Sequence, residues 1–423
     1  MRSVSFVQHL RLTTEGKVSH RCLALGDVDG DEFNELVVGD SKGTLSVYKG
    51  DSLQPWQTLN DLGDISCICI GDILNTGKPM VTIITVGGNC TVIDFGKSFT
   101  DGSSQVAANE QLVINVNNMF IGDVDGDGKQ ELVTSHSDQH VSAFRWNDRL
   151  KKFSLLQRWK LKHLLGNVSL HVGTNNEKPT IMVSQPGCQF SLLHVGWRTS
   201  TGDSPTSGGY CNDDKLVQAT PLSSQRRSQN PAISCQIIGN IRKTNKSEEG
   251  YFAMCTGDGT IKLIEENHIL WSLQVDHQLF ALEKVDILGD KREEVIVCAR
   301  DGQTYIVDHD RNVVRYHFHD DVQAFCAGNF SIDGKENIPC MVYADFHKQL
   351  WVYYDVRLPY LRAADFITLA NEDPEMVEIF EKFEIKTDEE KRKFLNQCLN
   401  DEITNHGELA KTENKSQHSK EDM

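Results

Sequence analysis

Two short stretches of the chain carry closely spaced carboxylates. GDVDGDGKQELV begins at Gly122 and places four acidic side chains within nine residues, at Asp123, Asp125, Asp127 and Glu131. A near copy, GDVDGDEFNELV, begins at Gly26 and repeats the pattern at Asp27, Asp29, Asp31 and Glu35. Calcium takes six to eight oxygen ligands in flexible geometry, so carboxylates that alternate along a tight turn could form a calcium site.

The stretch that begins at Gly122 is the better candidate for calcium. Two glycines inside it let the backbone curl, so the three aspartates can converge. The carbonyl of Lys129 can then point inward, and Glu131 can close the loop. The other stretch offers its four carboxylates and the carbonyl of Phe33, but Glu32 replaces the second glycine. This replacement predicts strain or crowding in that loop.

The two loops do not have the EF-hand pattern. An EF-hand needs a glutamate at position twelve and a helix on each side, whereas position twelve here is Thr134 and the flanking sequence predicts strands. The alternative to a metal site is structural, with the aspartates accepting hydrogen bonds from backbone amides of the turn. Other copies have lost ligands, with Leu74, Thr76 and Met80 in one and Leu288 in another.

The carboxylate stretches belong to a unit that recurs seven times. Each copy has a short apolar strand, a polar loop, a second β-branched strand, a turn and a third strand. Successive copies begin 43 to 66 residues apart, close to the blade spacing of a β-propeller. Gly and Asp-Gly turns and a period of two within the strands support this interpretation. The sequence therefore predicts an all-β fold, a seven-bladed β-propeller over residues 1–355, with a short α-helical C-terminal extension.

Four segments depart from the repeat. Residues 198–231, rich in Ser, Thr, Gly and Pro, predict a flexible insertion between blades four and five. The opening RSVSFVQHLRL predicts a strand that completes the last blade, because an open propeller would expose two edges. Residues 356–403 predict a helical extension, and the polar residues 404–423 predict a disordered tail.

The extension carries start signals for two helices. Asp373-Pro374 begins the first, whose apolar face contains Met376, Ile379, Phe380 and Phe383. Thr387 and Glu390 form a capping box for the second, whose apolar face contains Phe394, Leu395, Cys398, Leu399 and Ile403. Two interpretations stay open, since the helices could pack on the propeller or could dock another chain.

Composition and missing motifs argue against several functions. A net charge of −17 opposes binding to nucleic acid or an anionic membrane. The amino terminus has no apolar signal region, and no apolar run reaches the roughly 18–20 residues of a membrane helix, which predicts a soluble intracellular chain. The twelve cysteines lie mostly in apolar segments, which predicts reduced core thiols. Catalytic motifs are missing, and Asp276-His277 is more typical of a structural pair, so we expect no enzyme.

The repeat resembles a known family. Gly-Asp-x-Asp-Gly-Asp-Gly-x-x-Glu-Leu resembles the FG-GAP repeat of integrin α-chain propellers. Longer stretches are similar to the intracellular FG-GAP repeat β-propellers of the KICSTOR complex; they are MRSVSFVQ, NELVVGD, VSQPGC, ILWSLQVDHQLFALEKVDI, DGQTYIVDH and AFCAG. The resemblance covers nearly all of residues 1–355, but neither the insertion nor the tail.

This resemblance implies a non-catalytic scaffold. KICSTOR is a lysosome-associated complex that brings the GTPase-activating GATOR complex to the Rag GTPases and restrains TOR signalling when amino acids are short. The implied partners are kaptin, other KICSTOR subunits and GATOR complexes, without nucleic acid or direct membrane insertion. The implied location is the cytoplasm, with recruitment to the lysosomal surface through the complex. The alternatives are a calcium-dependent ligand-binding or adhesion propeller, which would require secretion, and an enzyme with a site in the central channel.

Overall fold

The structure is a computed structural model, and the part of the chain that it describes comprises residues 2–96, 105–112, 114–172, 178–196, 210–211, 217–221, 233–243, 250–266, 268–362, 366–383 and 385–398. The chain divides into two compact units, Met1–Leu361 and Arg362–Met423. The first unit contains seven antiparallel sheets of four main strands each, which confirms the predicted seven-bladed β-propeller.

The strands follow one another in the order of the blades. The amino-terminal strands are β1 (Arg2–Ser3) and β2 (His9–Thr13). Blade one contains β3 (Leu23–Gly26), β4 (Glu35–Gly39), β5 (Leu45–Tyr48) and β6 (Gln57–Leu59). Blade two contains β7 (Ile65–Gly71), β8 (Met80–Thr85), β9 (Asn89–Ile93) and β10 (Val106–Gln111). Blade three contains β11 (Val116–Gly122), β12 (Glu131–His136), β13 (His140–Asn147) and β14 (Lys152–Lys160).

The second half of the propeller repeats this order. Blade four contains β15 (Val168–His171), β16 (Thr180–Gln185), β17 (Gln189–Leu193) and β19 (Val217–Pro221), while β18 (Tyr210–Cys211) adds to blade three. Blade five contains β20 (Cys235–Arg242), β21 (Gly250–Thr256), β22 (Thr260–Glu265) and β23 (His268–Gln274). Blade six contains β24 (Leu279–Val285), β25 (Glu294–Ala299), β26 (Gln303–Val307) and β27 (Val313–His317). Blade seven contains β28 (Val322–Phe330), β29 (Ile338–Asp345) and β30 (Gln349–Tyr354), together with β2.

The first strand of every blade lies on the inside of the ring, next to the first strands of the two neighbouring blades. The second strands are buried on both faces, and β8 and β25 are buried at every residue. One core cluster joins Leu36 of blade one, Ile83 of blade two and Val342 of blade seven. Because each sheet packs between two others, apolar burial stabilises the ring as well as the separate blades.

The ring is closed by the amino terminus, as the sequence predicts. Strand β2 pairs antiparallel with β30, with Leu10 opposite Val352. The Arg11 guanidinium lies 4.8 Å from the centre of the Trp351 ring. Strand β1 pairs parallel with β27 at the outer edge of blade six. This closure supplies the fourth strand of blade seven from the other end of the chain.

Two predicted boundaries differ from the structure. Within the predicted insertion 198–231, β19 pairs antiparallel with β17 and is the fourth strand of blade four. The edge of β17 needs a hydrogen-bonding partner, so part of this Ser/Thr-rich segment is strand, while most of the insertion lies outside the described residues. The propeller unit also extends beyond 355 to Leu361, because Val356, Leu358 and Leu361 are buried in its core.

The second unit is helical. Helices α1 (Phe366–Glu372) and α2 (Pro374–Lys382) are followed by α3 over 388–398. The side chain of Asp373 accepts a hydrogen bond from the Glu375 amide at the start of α2. The predicted capping box is present, because the Glu390 amide donates to Thr387 Oγ1 and the Thr387 amide donates to Glu390 Oε2. Leu399 and Ile403, and the predicted tail, lie outside the described residues.

The described cysteines are free thiols, and most of them are buried. Burial raises the pKa of Cys67 to about 11 and that of Cys90 to about 12, so both stay protonated at neutral pH. Among the described residues, no helix is long and apolar enough to cross a membrane.

Candidate cation site in the acidic hairpins

The two acidic stretches form equivalent loops. Each loop joins the first strand of a blade to the second, in blade one between β3 and β4 and in blade three between β11 and β12. The antiparallel register places Gly26 opposite Glu35 and Gly122 opposite Glu131 at the base of the loop. Each glutamate is fully buried. Its side chain accepts a hydrogen bond from the amide two residues after the glycine, which is Val28 in blade one and Val124 in blade three.

The first aspartate of each loop holds the turn through backbone amides. In blade three, Asp123 Oδ1 accepts from Gly126 at 2.7 Å, and its Oδ2 accepts from Gly128 at 2.8 Å. In blade one, Asp27 Oδ1 accepts from Gly30 at 2.7 Å, and a further amide donates to Oδ2. This is the structural role that the sequence left open as the alternative to a metal site.

The remaining carboxylates of blade three surround an arginine. Arg145 Nε donates to Glu131 Oε1 at 2.6 Å, its Nη1 lies 2.8 Å from Asp127 Oδ2, and its Nη2 lies 3.0 Å from Asp125 Oδ2. The Asp125 side chain is only 2% exposed and that of Glu131 is buried. The guanidinium therefore binds three carboxylates at hydrogen-bond distance inside the loop.

Blade one has a lysine in the same place. Lys49 Nζ lies 2.6 Å from Asp29 Oδ2, 2.6 Å from Asp31 Oδ2 and 3.0 Å from Glu35 Oε1. The ammonium also lies 5.3 Å from the centre of the Trp56 ring, within the range of a cation–π contact. The three carboxylates of this loop thus share one ammonium group.

The strand register explains why a cation stands there in both loops. Leu132 lies opposite Phe144, and Leu36 lies opposite Tyr48. One residue further along each pair of strands, the same register places Arg145 opposite Glu131 and Lys49 opposite Glu35. Both cations follow their glutamates by fourteen residues. Sequence reasoning missed them, although that spacing, repeated in two copies, was a visible signal.

The carboxylates converge as a metal site would require, but each carboxylate already has a partner within the loop, although the buried Asp29 Oδ1 itself accepts no hydrogen bond from the described part of the chain. One oxygen from each of Asp123, Asp125 and Asp127 lies within 4.8 Å of the others, and the same holds for Asp27, Asp29 and Glu35. Calcium would need six to eight oxygens at 2.3–2.6 Å. With the turn amides on the first aspartate and a cation on the other carboxylates, the side chains as they lie do not fit a calcium ion.

The predicted carbonyl ligands belong to residues whose amides also bond within the loop. The Lys129 amide donates to Asp127 Oδ1 at 2.9 Å, and the Phe33 amide donates to Asp31 Oδ1 at 2.9 Å. These two bonds fix the carboxylates that face the cation. Calcium ligation by the two carbonyls stays a prediction.

The electrostatics favour a charged arginine in blade three. Burial lowers the pKa of Arg145, but the attraction of Glu131 and of Asp125 raises it more, and the net shift is upward. Burial opposes the charge of Lys49 in the same way, and its bonds to Asp29 and Asp31 turn the net pKa shift upward. Both side chains therefore remain cations at neutral pH.

The degenerate copies lack this arrangement. In blade two, Met80 stands at the glutamate position and the residue opposite is Asp94, one step beyond the pair of Val81 and Ile93. In blade six, Glu294 keeps the glutamate position and bonds the Ile287 amide at 2.7 Å. Burial raises the pKa of Glu294 to about 7, as it does for Glu35 and Glu131 in the intact loops.

The backbone of the two intact loops differs at one position. Gly128 has a φ of 83° and its equivalent in blade one, Glu32, has a φ of 69°. This left-handed region favours glycine, because a side chain there meets the backbone. The strain expected at Glu32 from the sequence is therefore local to the turn, and the three carboxylates next to it still reach Lys49.

The pair that resembled an acid and a base is separated. His277 Nδ1 lies 2.5 Å from Asp301 Oδ2, so the carboxylate partner of this histidine comes from the next blade and is not Asp276. Both members of the pair are partly exposed. His277 lines a cleft of about 520 Å³ together with Ser234, Asp258 and Asp276. This geometry agrees with a surface ion pair.

Most of the propeller matches a known family. A family model described as integrin-alpha FG-GAP repeat-containing protein 2 matches residues 49–358. The chain belongs to this family. The match begins in blade one, after the acidic loop of that blade, and ends at Leu358, near the end of the propeller unit, which confirms the resemblance of the repeats.

Two curated relatives carry the name KICSTOR complex protein ITFG2. The Mus musculus protein is 38% identical over 410 residues, which cover 91% of this chain and 92% of the relative. The Bos taurus protein is 38% identical over 404 residues, which cover 88% of this chain and 75% of the relative. The similarity to this integrin-alpha FG-GAP repeat family thus extends beyond the repeats themselves.

Solved structures share the propeller fold at low sequence identity. BBS1N, in a crystal with ARL6DN soaked with lead, has a TM-score of 0.60 and 13% identity, covering 86% of this chain and 100% of that chain. The WD40 beta propeller domain of Doa1 has a TM-score of 0.51 and 11% identity, covering 82% and 95%. At such identities the likeness establishes the fold alone.

Proposed function

We propose that this chain is a non-catalytic scaffold subunit of a KICSTOR complex. The observation that carries the proposal is the 38% identity to two relatives named KICSTOR complex protein ITFG2, over nearly the whole length of the mouse protein. The identity extends over most of the chain and is not confined to the repeat motif, so the partners of those relatives are the first candidates for this chain.

The architecture suits a scaffold. Seven packed sheets form a rigid body whose loops and outer strands offer several separate surfaces, and a stable protein interface needs roughly 1,200–2,000 Å² of buried area. Among the described residues, most acidic side chains of the two hairpins form ion pairs within the chain. The propeller therefore works through surface contacts, with kaptin and the other KICSTOR subunits as direct partners.

Through the assembled complex, the chain helps to recruit GATOR complexes to the lysosomal surface and restrains TOR signalling when amino acids are short. Its own location is the cytoplasm, and it reaches the lysosome through its partners. This cellular role depends on the subunit assignment.

Affinity purification tests the subunit assignment. A tagged full-length chain, expressed near its natural level, should copurify with kaptin and the remaining KICSTOR subunits in amounts that mass spectrometry finds comparable. An unrelated seven-bladed propeller with the same tag is the control for binding to propellers in general. Recovery of the chain as a partner-free monomer would contradict the proposal.

The cellular role has a separate test. In cells that lack the chain, we expect GATOR to leave lysosomes and TOR signalling to persist during amino-acid starvation, with the full-length chain restoring both. Copurification without any change in GATOR location would keep the subunit assignment and reject the recruitment role.

A further inference from the structure

We propose that Arg145 and Lys49 take the place of a metal ion in the two acidic hairpins, so that the propeller carries its own cations and binds no calcium there. The family resemblance suggests calcium at these loops, and the side chains point to a different solution. In both cases a cation lies among carboxylates, but here the cation is a side chain of the protein and not a bound calcium ion.

The contacts of the two cations show this substitution directly. Each cation binds the third and fifth residues of its loop and the glutamate at position nine, which are Asp125, Asp127 and Glu131 in blade three. These are the carboxylates that the sequence assigns to calcium. The first aspartate, the remaining carboxylate, is held by turn amides. All four carboxylates of the loop therefore have partners without an added ion.

The seven copies of the repeat supply an internal comparison. Two copies retain every carboxylate. In both, a cation lies across the sheet from the glutamate at position nine: Lys49 in blade one and Arg145 in blade three. In blade six, where a leucine interrupts the acidic set, the residue opposite Glu294 is Asp308, one step beyond the pair of Val295 and Val307. A cation at this cross-strand position therefore accompanies the complete acidic set, whereas in blade six a cation from the loop itself, Arg292, pairs with Asp290 at 2.8 Å.

Electrostatics explains the association. Three carboxylates within hydrogen-bond distance of one point repel one another, and a buried carboxylate without a partner costs several kcal/mol. A divalent ion would remove this repulsion only while it is bound, so the stability of such a loop depends on the ion concentration. A tethered guanidinium or ammonium is present at all times.

Thermal unfolding of the full-length chain tests the substitution. In wild type we expect the same Tm in about 2 mM calcium chloride, above the weakest affinity range of protein calcium sites, and in excess EGTA. Arg145→Met should lower the Tm by roughly 5 °C in EGTA, and calcium should restore part of this loss because the freed carboxylates can now bind it. Arg145→Lys retains a cation, so its Tm should fall by less, and calcium should not change that Tm.

A matched control removes a cation from the equivalent loop of blade two. Lys78 is exposed there and no acidic set surrounds it, so Lys78→Met should leave the Tm within about 1 °C of wild type. Should Arg145→Met fail to accumulate as folded protein, Lys49→Met gives the same comparison in blade one, where the cation is more exposed.

Three results would overturn the proposal. The first is a calcium-dependent rise in the wild-type Tm that Asp125→Asn abolishes. The second is a Tm of Arg145→Met, or of Lys49→Met where that variant replaces it, equal to wild type in EGTA. The third is a lowered Tm in that variant with no response to calcium, because the cation and the metal would then not be equivalent.

Discussion

At the scale of single residues, one buried glutamate occurs in two electrostatic settings within the same chain. Glu131 and Glu294 occupy the same position of the repeat and both bond the amide that follows the first strand. Glu131 has Arg145 beside it, whereas the residue across the sheet from Glu294 is Asp308. Burial raises the pKa of both glutamates to about 7, and at Glu131 the attraction of Arg145 opposes that rise.

We predict that neutralising these two glutamates changes the stability by different amounts. Burial raises the pKa of Glu294 to about 7 from an ordinary value of 4.5, so its contribution to stability is fully present below pH 4.5 and is lost as the pH rises through 7. As the pH rises from 5 to 8, the free energy of unfolding of Glu294→Gln should therefore increase relative to wild type by on the order of 1–3 kcal/mol.

Burial raises the pKa of Glu131 to about 7 as well, so Glu131→Gln should gain stability at pH 8 too, but less than Glu294→Gln, because it also removes a charge-assisted bond to Arg145. Urea unfolding of both variants and wild type at the two pH values measures the difference. Equal gains in the two variants at pH 8 would show that Arg145 does not determine the behaviour of this position.

At the scale of elements, the acidic hairpin has the same turn conformation in both blades, although one residue type differs between them. Glu32 adopts the left-handed conformation that glycine adopts in the equivalent loop, and the ion pairs beside it are retained. The blade thus supports a strained residue, and the free energy stored there can be released by substitution.

Exchange of residue type at this position should change stability in a known direction. Glu32→Gly should raise the free energy of unfolding by roughly 0.5–1 kcal/mol, because glycine has no side chain to strain at positive φ. Gly128→Ala should lower it by about 1 kcal/mol, and open space surrounds that site, so the backbone is the only cause. Loss of stability in both variants, measured by urea unfolding, would contradict this account.

The carboxyl-terminal boundary of the propeller gives a second prediction for an element. The Val356 amide donates to the Pro339 carbonyl, the Leu358 amide donates to the Ile287 carbonyl, and Leu361 is buried nearby. A chain that ends at 355 loses these contacts and should melt several degrees below one that ends at 361, because two or three buried apolar side chains are worth roughly 3–6 kcal/mol. Equal melting temperatures in circular dichroism would place the boundary at 355.

At the scale of the whole molecule, the ring depends on a strand from the opposite end of the chain. Strand β2 provides the outer edge of blade seven, whereas β1 adds a fifth strand to blade six. Deletion of residues 1–13 should therefore expose the edge of β30 and cause self-association, because an unpaired edge recruits other strands. Deletion of residues 1–3 leaves four strands in every blade and should stay monomeric. Light scattering after size-exclusion chromatography distinguishes the two, and a monomeric 1–13 deletion would be inconsistent with closure by β2.

The repeat made the fold predictable, while the cation site depended on contacts that no single copy reveals. A glycine in or near the first strand of most copies and the turns between strands recur with a regular spacing, so seven blades could be predicted from the sequence. Arg145 was not predictable from the acidic motif, because its contact with Glu131 depends on the pairing of a third strand. Strand β19 was hidden because its composition is that of a loop, and the edge of β17 determines its pairing.

Closure by β2 also sets an order of events during synthesis. Arg11 and Gln349, which hydrogen-bond across the closing strands, are 338 residues apart. At ribosomal rates of roughly 5–20 residues per second, the first strand waits on the order of tens of seconds for its partner. During this interval the inner faces of the early blades lack their final neighbours. The nascent chain therefore spends most of its synthesis as an open arc, and it becomes a ring only after the seventh blade leaves the ribosome.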